Sequence, residues 1–96
     1  MELAEYTTDF ELYPSPTDEK AINAIWDKFE DEPVEIASNA TMKLDDIITT
    51  KLFGTRQNGD EVWVVEKTSH HRYCVWVFED RSEAVSDYIG CIEADL

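Results

Sequence analysis

His70, His71, Cys74 and Cys91 are the residues best suited by type to hold a metal, and HHRYC brings three of them into one short stretch. A zinc site needs a second close pair of ligands at a recognised spacing, and the lone Cys91 does not supply one. The pattern reads instead as two loop histidines and two reduced cysteines that pack as small hydrophobes. Carboxylates are far more abundant, with 22 Asp and Glu against 8 Lys and Arg. An acid–base dyad, however, requires a partly desolvated cleft that drives two pKa values apart. Asp45-Asp46 and Glu30-Asp31-Glu32 fall on expected solvent faces. No serine stands in a GxSxG context, and the three glycines form no phosphate-cradling loop. DKFEDEPVE (27–35) offers hard oxygens but no DxDxDG-type calcium loop. No catalytic residue, cofactor or metal ligand is expected, and the chain is not read as an enzyme.

What the residues do offer is charge. The formal net charge is −14 on 11.1 kDa. Residues 1–48 hold thirteen acids and three bases, a net of −10, and residues 49–96 hold nine and five, a net of −4. Such a skew implies an acidic face, which repels nucleic acid and anionic membranes and attracts basic grooves.

The elements that must carry this charge follow from periodicity and capping. Ninety-six residues, 43% of them apolar, fit a single domain, 1–96. No apolar run is long enough to span a membrane, and MELAEYTTDFELY lacks the basic and apolar regions of a secretory signal. The expected location is the cytoplasm. A short strand is expected at about 7–13, ended by Pro14 and Pro16. Ser15 is the expected N-cap of a first helix, with Pro16 at its first position and Asp18 and Glu19 in its first turn. Ile22, Ile25, Trp26 and Phe29 give that helix one apolar face, and Pro33 stops it at about 30–32.

Leu44, Ile47, Ile48 and Leu52 stand at helical spacing, which predicts a second helix at about 39–49 with Asp45 and Asp46 exposed. Strands are predicted at 50–56, 61–67 and 72–80, with Asn58-Gly59 as a tight turn. Tyr73, Val75 and Val77 alternate with Cys74, Trp76 and Phe78, and both sets are apolar. That strand is either central and covered on both sides or part of an interface. Val85, Tyr88, Ile89 and Ile92 form the stripe of a last helix capped by Asp80 or Ser82. The expected architecture is α+β: a three-stranded antiparallel meander packed against two to three helices. The order of elements also faintly resembles a winged helix, but its candidate recognition helix carries Lys43 against Asp45 and Asp46, the wrong sign for phosphate contacts. Trp63, Trp76, Tyr73 and Phe78 lack the cationic groove of a base-stacking platform and read as core.

Within this frame DKFEDEPVE breaks a local rule. Acids at a helix C-terminus oppose the helix dipole, where a cation would be favoured by roughly 0.3–1 kcal/mol. A local rule broken without compensation points towards function. Asp27, Glu30, Asp31, Glu32 and Glu35 are therefore the expected contact surface, extended by Asp18, Glu19, Asp45 and Asp46 if the two helices align. Glu19, Asn23 and Asp27 recur every four residues, and Asp31 would continue the row. Regular negative charge on a rigid scaffold can imitate a nucleic-acid backbone.

In size, charge and layout, most strongly over 18–46, the chain resembles small phage-encoded inhibitors of host defence, the anti-CRISPR and antirestriction DNA mimics. The resemblance implies a basic nucleic-acid-binding protein or complex as partner, with occlusion of its groove and no direct nucleic-acid binding by the chain itself. Two other classes fit the same charges. An immunity protein or antitoxin against a basic nuclease would set exposed Tyr6, Tyr13 or Tyr73 beside the acids. A phage structural or assembly protein would use the doubly apolar strand 73–78.

Overall fold

The computed structural model describes residues 1–11 and 13–96. In chain order its elements are β1 (Glu2–Asp9), α1 (Pro16–Trp26), β2 (Val34–Lys43), β3 (Asp46–Gln57), β4 (Asp60–Thr68), β5 (Arg72–Phe78) and α2 (Arg81–Ala94). The strands form one antiparallel sheet in the order β1-β5-β4-β3-β2. The α+β class stands, but the expected three-stranded meander with two to three helices does not: the sheet has five strands, and two helices cover it. The meander is its centre, widened by β1 on β5 and by β2 on β3.

The error lies mainly at 39–49. The expected helix is a β-hairpin, in which Met42 faces Ile47 and Lys43 faces Asp46. Leu44 and Asp45 turn the chain with φ of 49° and 64°. Thr41 and the run Ile47-Ile48-Thr49-Thr50 are β-branched, and stiff side chains of this kind favour a pleated surface. The helical spacing of Leu44, Ile47, Ile48 and Leu52 is a coincidence of one turn residue with one strand. Loss of this helix also removes the winged-helix layout. β1 begins earlier than the expected 7–13 because its pairing with β5 runs from Glu2 to Asp9.

Helix α1 starts as its sequence dictates. The Ser15 hydroxyl accepts from the Asp18 backbone N–H, and the Asp18 carboxylate accepts from the Ser15 N–H at 3.0 Å, a closed capping box. It ends at Trp26, short of the expected 30–32. Phe29, beyond that end, is still buried.

Each face of the sheet carries one helix. On one face Ile22, Ile25 and Trp26 of α1, with Phe29, pack against Val62, Val64, Tyr73, Val75 and Val77. On the other, Ala84, Val85, Tyr88 and Cys91 of α2 pack against Leu52, Val65, Trp76 and Phe78. Strand β5 is therefore central and covered twice, which accounts for its two apolar faces without an interface. Burying a single Val or Phe side chain contributes about 1.5–3 kcal/mol, so these two layers dominate stability. Asp80 caps α2 through the Ser82 N–H at 3.0 Å. The buried stripe of α2 differs from the expected one: Ala84 is wholly enclosed, whereas Ile89 is 47% exposed. No helix among the described residues is long and apolar enough to cross a membrane.

Candidate functional site: an acidic end of the sheet

The antiparallel order places the starts of β1, β2 and β4 and the ends of β3 and β5 at one end of the sheet, here the Asn58 end. The Asn58-Gly59 turn has φ of 53° and 84°, the left-handed geometry of a two-residue hairpin loop. The segment after α1 is fastened to this turn. The Glu30 carboxylate accepts from the Gly59 N–H at 2.6 Å, and the Glu30 N–H donates to the Arg56 carbonyl at 2.8 Å. The Thr55 hydroxyl donates to the Asp31 carbonyl at 2.9 Å. Arg56 lies 3.9 Å from the Asp31 carboxylate and donates to the Gly59 carbonyl at 2.7 Å.

The acids of DKFEDEPVE thus lie in a braced loop more than at a helix terminus. Only Asp27 sits at the C-cap of α1, so the dipole argument applies to it alone. Glu30, Asp31 and Glu32 lie in the connection to β2, and Asp31 does not continue the helical row of Glu19, Asn23 and Asp27. Glu35, the second residue of β2, pairs with Lys51 at 3.4 Å.

What this loop meets was not visible in the sequence. The last matched pair of β4 and β5 is Trp63 with Phe78. Just beyond it, Glu61 at the start of β4 and Asp80 at the start of α2 flank an open groove of about 910 Å³. Asp60, Glu61, Glu79 and Asp80 line it with Leu3, Trp63 and a single cation, Arg81. A smaller groove beside it is lined by Asp31, Glu32 and Glu61, joining the two sets of acids. Glu83 is held here too, by the amino group of Met1, whose pKa it raises. Among the described residues, Asp27, Glu32, Asp60, Glu61 and Glu79 make no ion pair. The signal that would have found Asp60, Glu61, Glu79 and Asp80 was the β4–β5 register, which brings those separated acids to one end.

The remaining expected residues lie elsewhere. Asp18 is occupied by its capping box and Glu19 follows it in the first turn of α1. Asp45 and Asp46 sit at the opposite end, the Leu44 end, so no second helix aligns them with the first. Asp46 is half-buried and accepts from the His70 N–H at 3.1 Å, with the His70 ring 3.4 Å away. Tyr13, the one strongly exposed tyrosine, packs against His70 at this end. Tyr6 is half-buried beneath Lys28 and Tyr73 is buried, so none of the three stands beside the acidic groove.

The groups with perturbed acidity serve the packing. The Trp26 indole N–H donates to the Tyr73 hydroxyl at 2.5 Å, which donates to Glu66 at 2.6 Å. Burial, reinforced by Glu66, raises the Tyr73 pKa and keeps it a neutral donor. Burial and Asp87 push the Cys91 thiol up to about 11, so it is protonated at neutral pH and a poor nucleophile. Burial and the charge of Glu5 raise the Asp87 carboxyl. Cys74 is buried beside Thr7, away from the histidines' contacts with Asp46 and Glu11. Among the described residues no three His, Cys, Asp or Glu side chains form a metal-holding group. No family model, curated protein or solved structure matches the chain.

Proposed function

We propose that the chain is a non-enzymatic inhibitor that presents the Asn58 end to the nucleic-acid-binding groove of a basic defence enzyme and blocks that groove by occlusion. The enzyme is of the CRISPR-effector or restriction class, in line with the resemblance of charge and size. The observation carrying this reading is the convergence of carboxylates from three separated segments, 31–32, 60–61 and 79–80, around adjoining grooves. A turn and two braced strand ends hold them, so little side-chain and loop ordering is left to be lost on binding. A Lys- and Arg-lined groove that releases counterions on phosphate would do so on these carboxylates, giving binding that weakens steeply with salt. Five of the expected contact residues, Asp27, Glu30, Asp31, Glu32 and Glu35, fall at or beside this end. Asp60, Glu61, Glu79 and Asp80 join them in the proposal; Asp18, Glu19, Asp45 and Asp46 leave it.

The test is capture from bacterial lysate at low salt, with retained proteins identified by mass spectrometry and challenged with duplex DNA. The expected result is a nucleic-acid enzyme that DNA displaces. Asp27→Asn, Glu30→Gln, Asp31→Asn and Glu32→Gln together should weaken its capture by about tenfold or more. Capture indifferent to DNA and to these substitutions would overturn the reading.

A further inference from the structure

Asparagine occurs three times, as Asn23-Ala24, Asn39-Ala40 and Asn58-Gly59. Its side-chain amide is labile wherever the next backbone nitrogen can reach the amide carbon, and a following glycine, having no Cβ, leaves that approach open. Asn23 lies within α1 and Asn39 within β2, where a regular backbone holds the chain on both sides. Asn58 stands instead in the two-residue turn, with φ of 53° followed by 84° at Gly59. A Cβ on Gly59 would meet nothing within 4 Å, so no neighbour screens the site from water. Both backbone groups of Gly59 are nevertheless held. Its N–H donates to the Glu30 carboxylate at 2.6 Å, and its carbonyl accepts from the Arg56 guanidinium at 2.7 Å.

We propose that Asn58 is a deamidation site and that Glu30, by holding the Gly59 N–H, sets the rate of its conversion. In that reaction the Gly59 nitrogen attacks the Asn58 Cγ and gives up its proton. The Cγ–Nδ2 bond breaks and ammonia leaves, which closes a succinimide ring. Water then opens the ring at either carbonyl and leaves aspartate or isoaspartate at position 58. One water enters and one ammonia departs, so no oxidant or cofactor takes part. Ring closure swings the Gly59 nitrogen towards the side chain, against its bond to Glu30 and the facing pair Gln57 and Asp60. Conversion therefore waits on local opening of this brace. The product sets a new carboxylate beside Asp60 and Glu61, because Asn58 lines the same groove. Isoaspartate also lengthens the main chain, which a two-residue loop cannot accommodate with its closing pair intact. This chemistry depends on the turn and its brace and is independent of the groove-blocking role.

Peptide mapping by mass spectrometry, on the full chain aged at mildly alkaline pH, tests this. Conversion is expected at Asn58 and not at Asn23 or Asn39, and faster when the chain is unfolded in urea. Glu30→Ala should speed it about three- to tenfold, the net contribution of one exposed hydrogen bond, with circular dichroism unchanged. Glu30→Gln, which keeps an uncharged acceptor, should fall between the two. Glu32→Gln removes a neighbouring charge that makes no bond to Gly59 and should keep the parent rate, which separates the bond from the local field. Equal conversion at Asn23 or Asn39, or a folded chain that reacts as fast as the unfolded one, would overturn the proposal. So would a Glu30→Ala rate that is unchanged, slower, or matched by Glu32→Gln.

Discussion

The two ends of the sheet use carboxylates in opposite ways. At the Leu44 end the three acids that hold the fold are paired, Asp9 with Arg72 at 2.6 Å, Asp46 with His70, and Asp95 with Lys67 at 3.1 Å, while Asp45 in the turn makes no ion pair among the described residues. At the Asn58 end Glu30 and Asp31 brace a turn and Asp80 caps a helix, but the acids around them are in surplus. Paired charge of the first kind holds strand ends and the C-terminus in place. Surplus charge of the second kind stores repulsion that only an outside cation or salt can relieve. The contrast teaches that net charge is a poor guide to a surface until pairing is known.

The contrast can be broken most severely at Lys67. Asp95 is only 9% exposed, so Lys67→Met strands a nearly buried carboxylate and should cost about 2 kcal/mol. Urea unfolding measures this, and a loss below about 0.5 kcal/mol, the level of an ordinary surface pair, would mean that the Leu44 end does not depend on its pairs.

The opposite sign is expected at the other end. Asp60→Asn, Glu61→Gln and Glu79→Gln combined should stabilise the fold by about 0.5–1 kcal/mol at low salt, with the gain vanishing near ~0.5 M. Destabilisation would show that these carboxylates are engaged within the fold and are no surplus. The smallest effect belongs to Asp87, between the two ends on α2. Its carboxyl is raised above the ordinary range, so its stabilising contribution is complete below the unfolded value and lost as pH rises through the folded one. Asp87→Asn should therefore raise Tm by about 1–2 °C at pH 7 and by nothing near about pH 3, as scanning calorimetry would register. A gain that persisted in acid would assign the effect to packing.

Legibility followed the range of the forces involved. Ser15-Pro16-x-Asp18 announced its helix because a cap is a contact within four residues. Asn58-Gly59 announced its turn because only a few residue types accept that backbone. The hairpin at 39–49 mimics a helix in its sequence because its strands are weakly patterned and its Leu44 is 93% exposed, although it is apolar. An exposed leucine in a turn cannot be told from a buried one on a helix by spacing alone. The acids of 27–32 were legible as a cluster, whereas Asp60, Glu61, Glu79 and Asp80 were not, since their meeting depends on strand register. The skew between chain halves missed this, because the acidic end draws on both.

By itself the sequence determined what short-range chemistry can decide: one acidic α+β chain, the start of α1, the central meander and its turn. Tertiary structure alone decided that β1 and β2 widen the sheet, that Asp46 belongs to His70, and which carboxylates share a groove. Those outcomes rest on pairings between residues far apart in the chain, where the free energy comes from shared burial and ladder hydrogen bonds. No local pattern encodes such a partner, so the same carboxylate becomes a brace at one end of the sheet and surplus charge at the other.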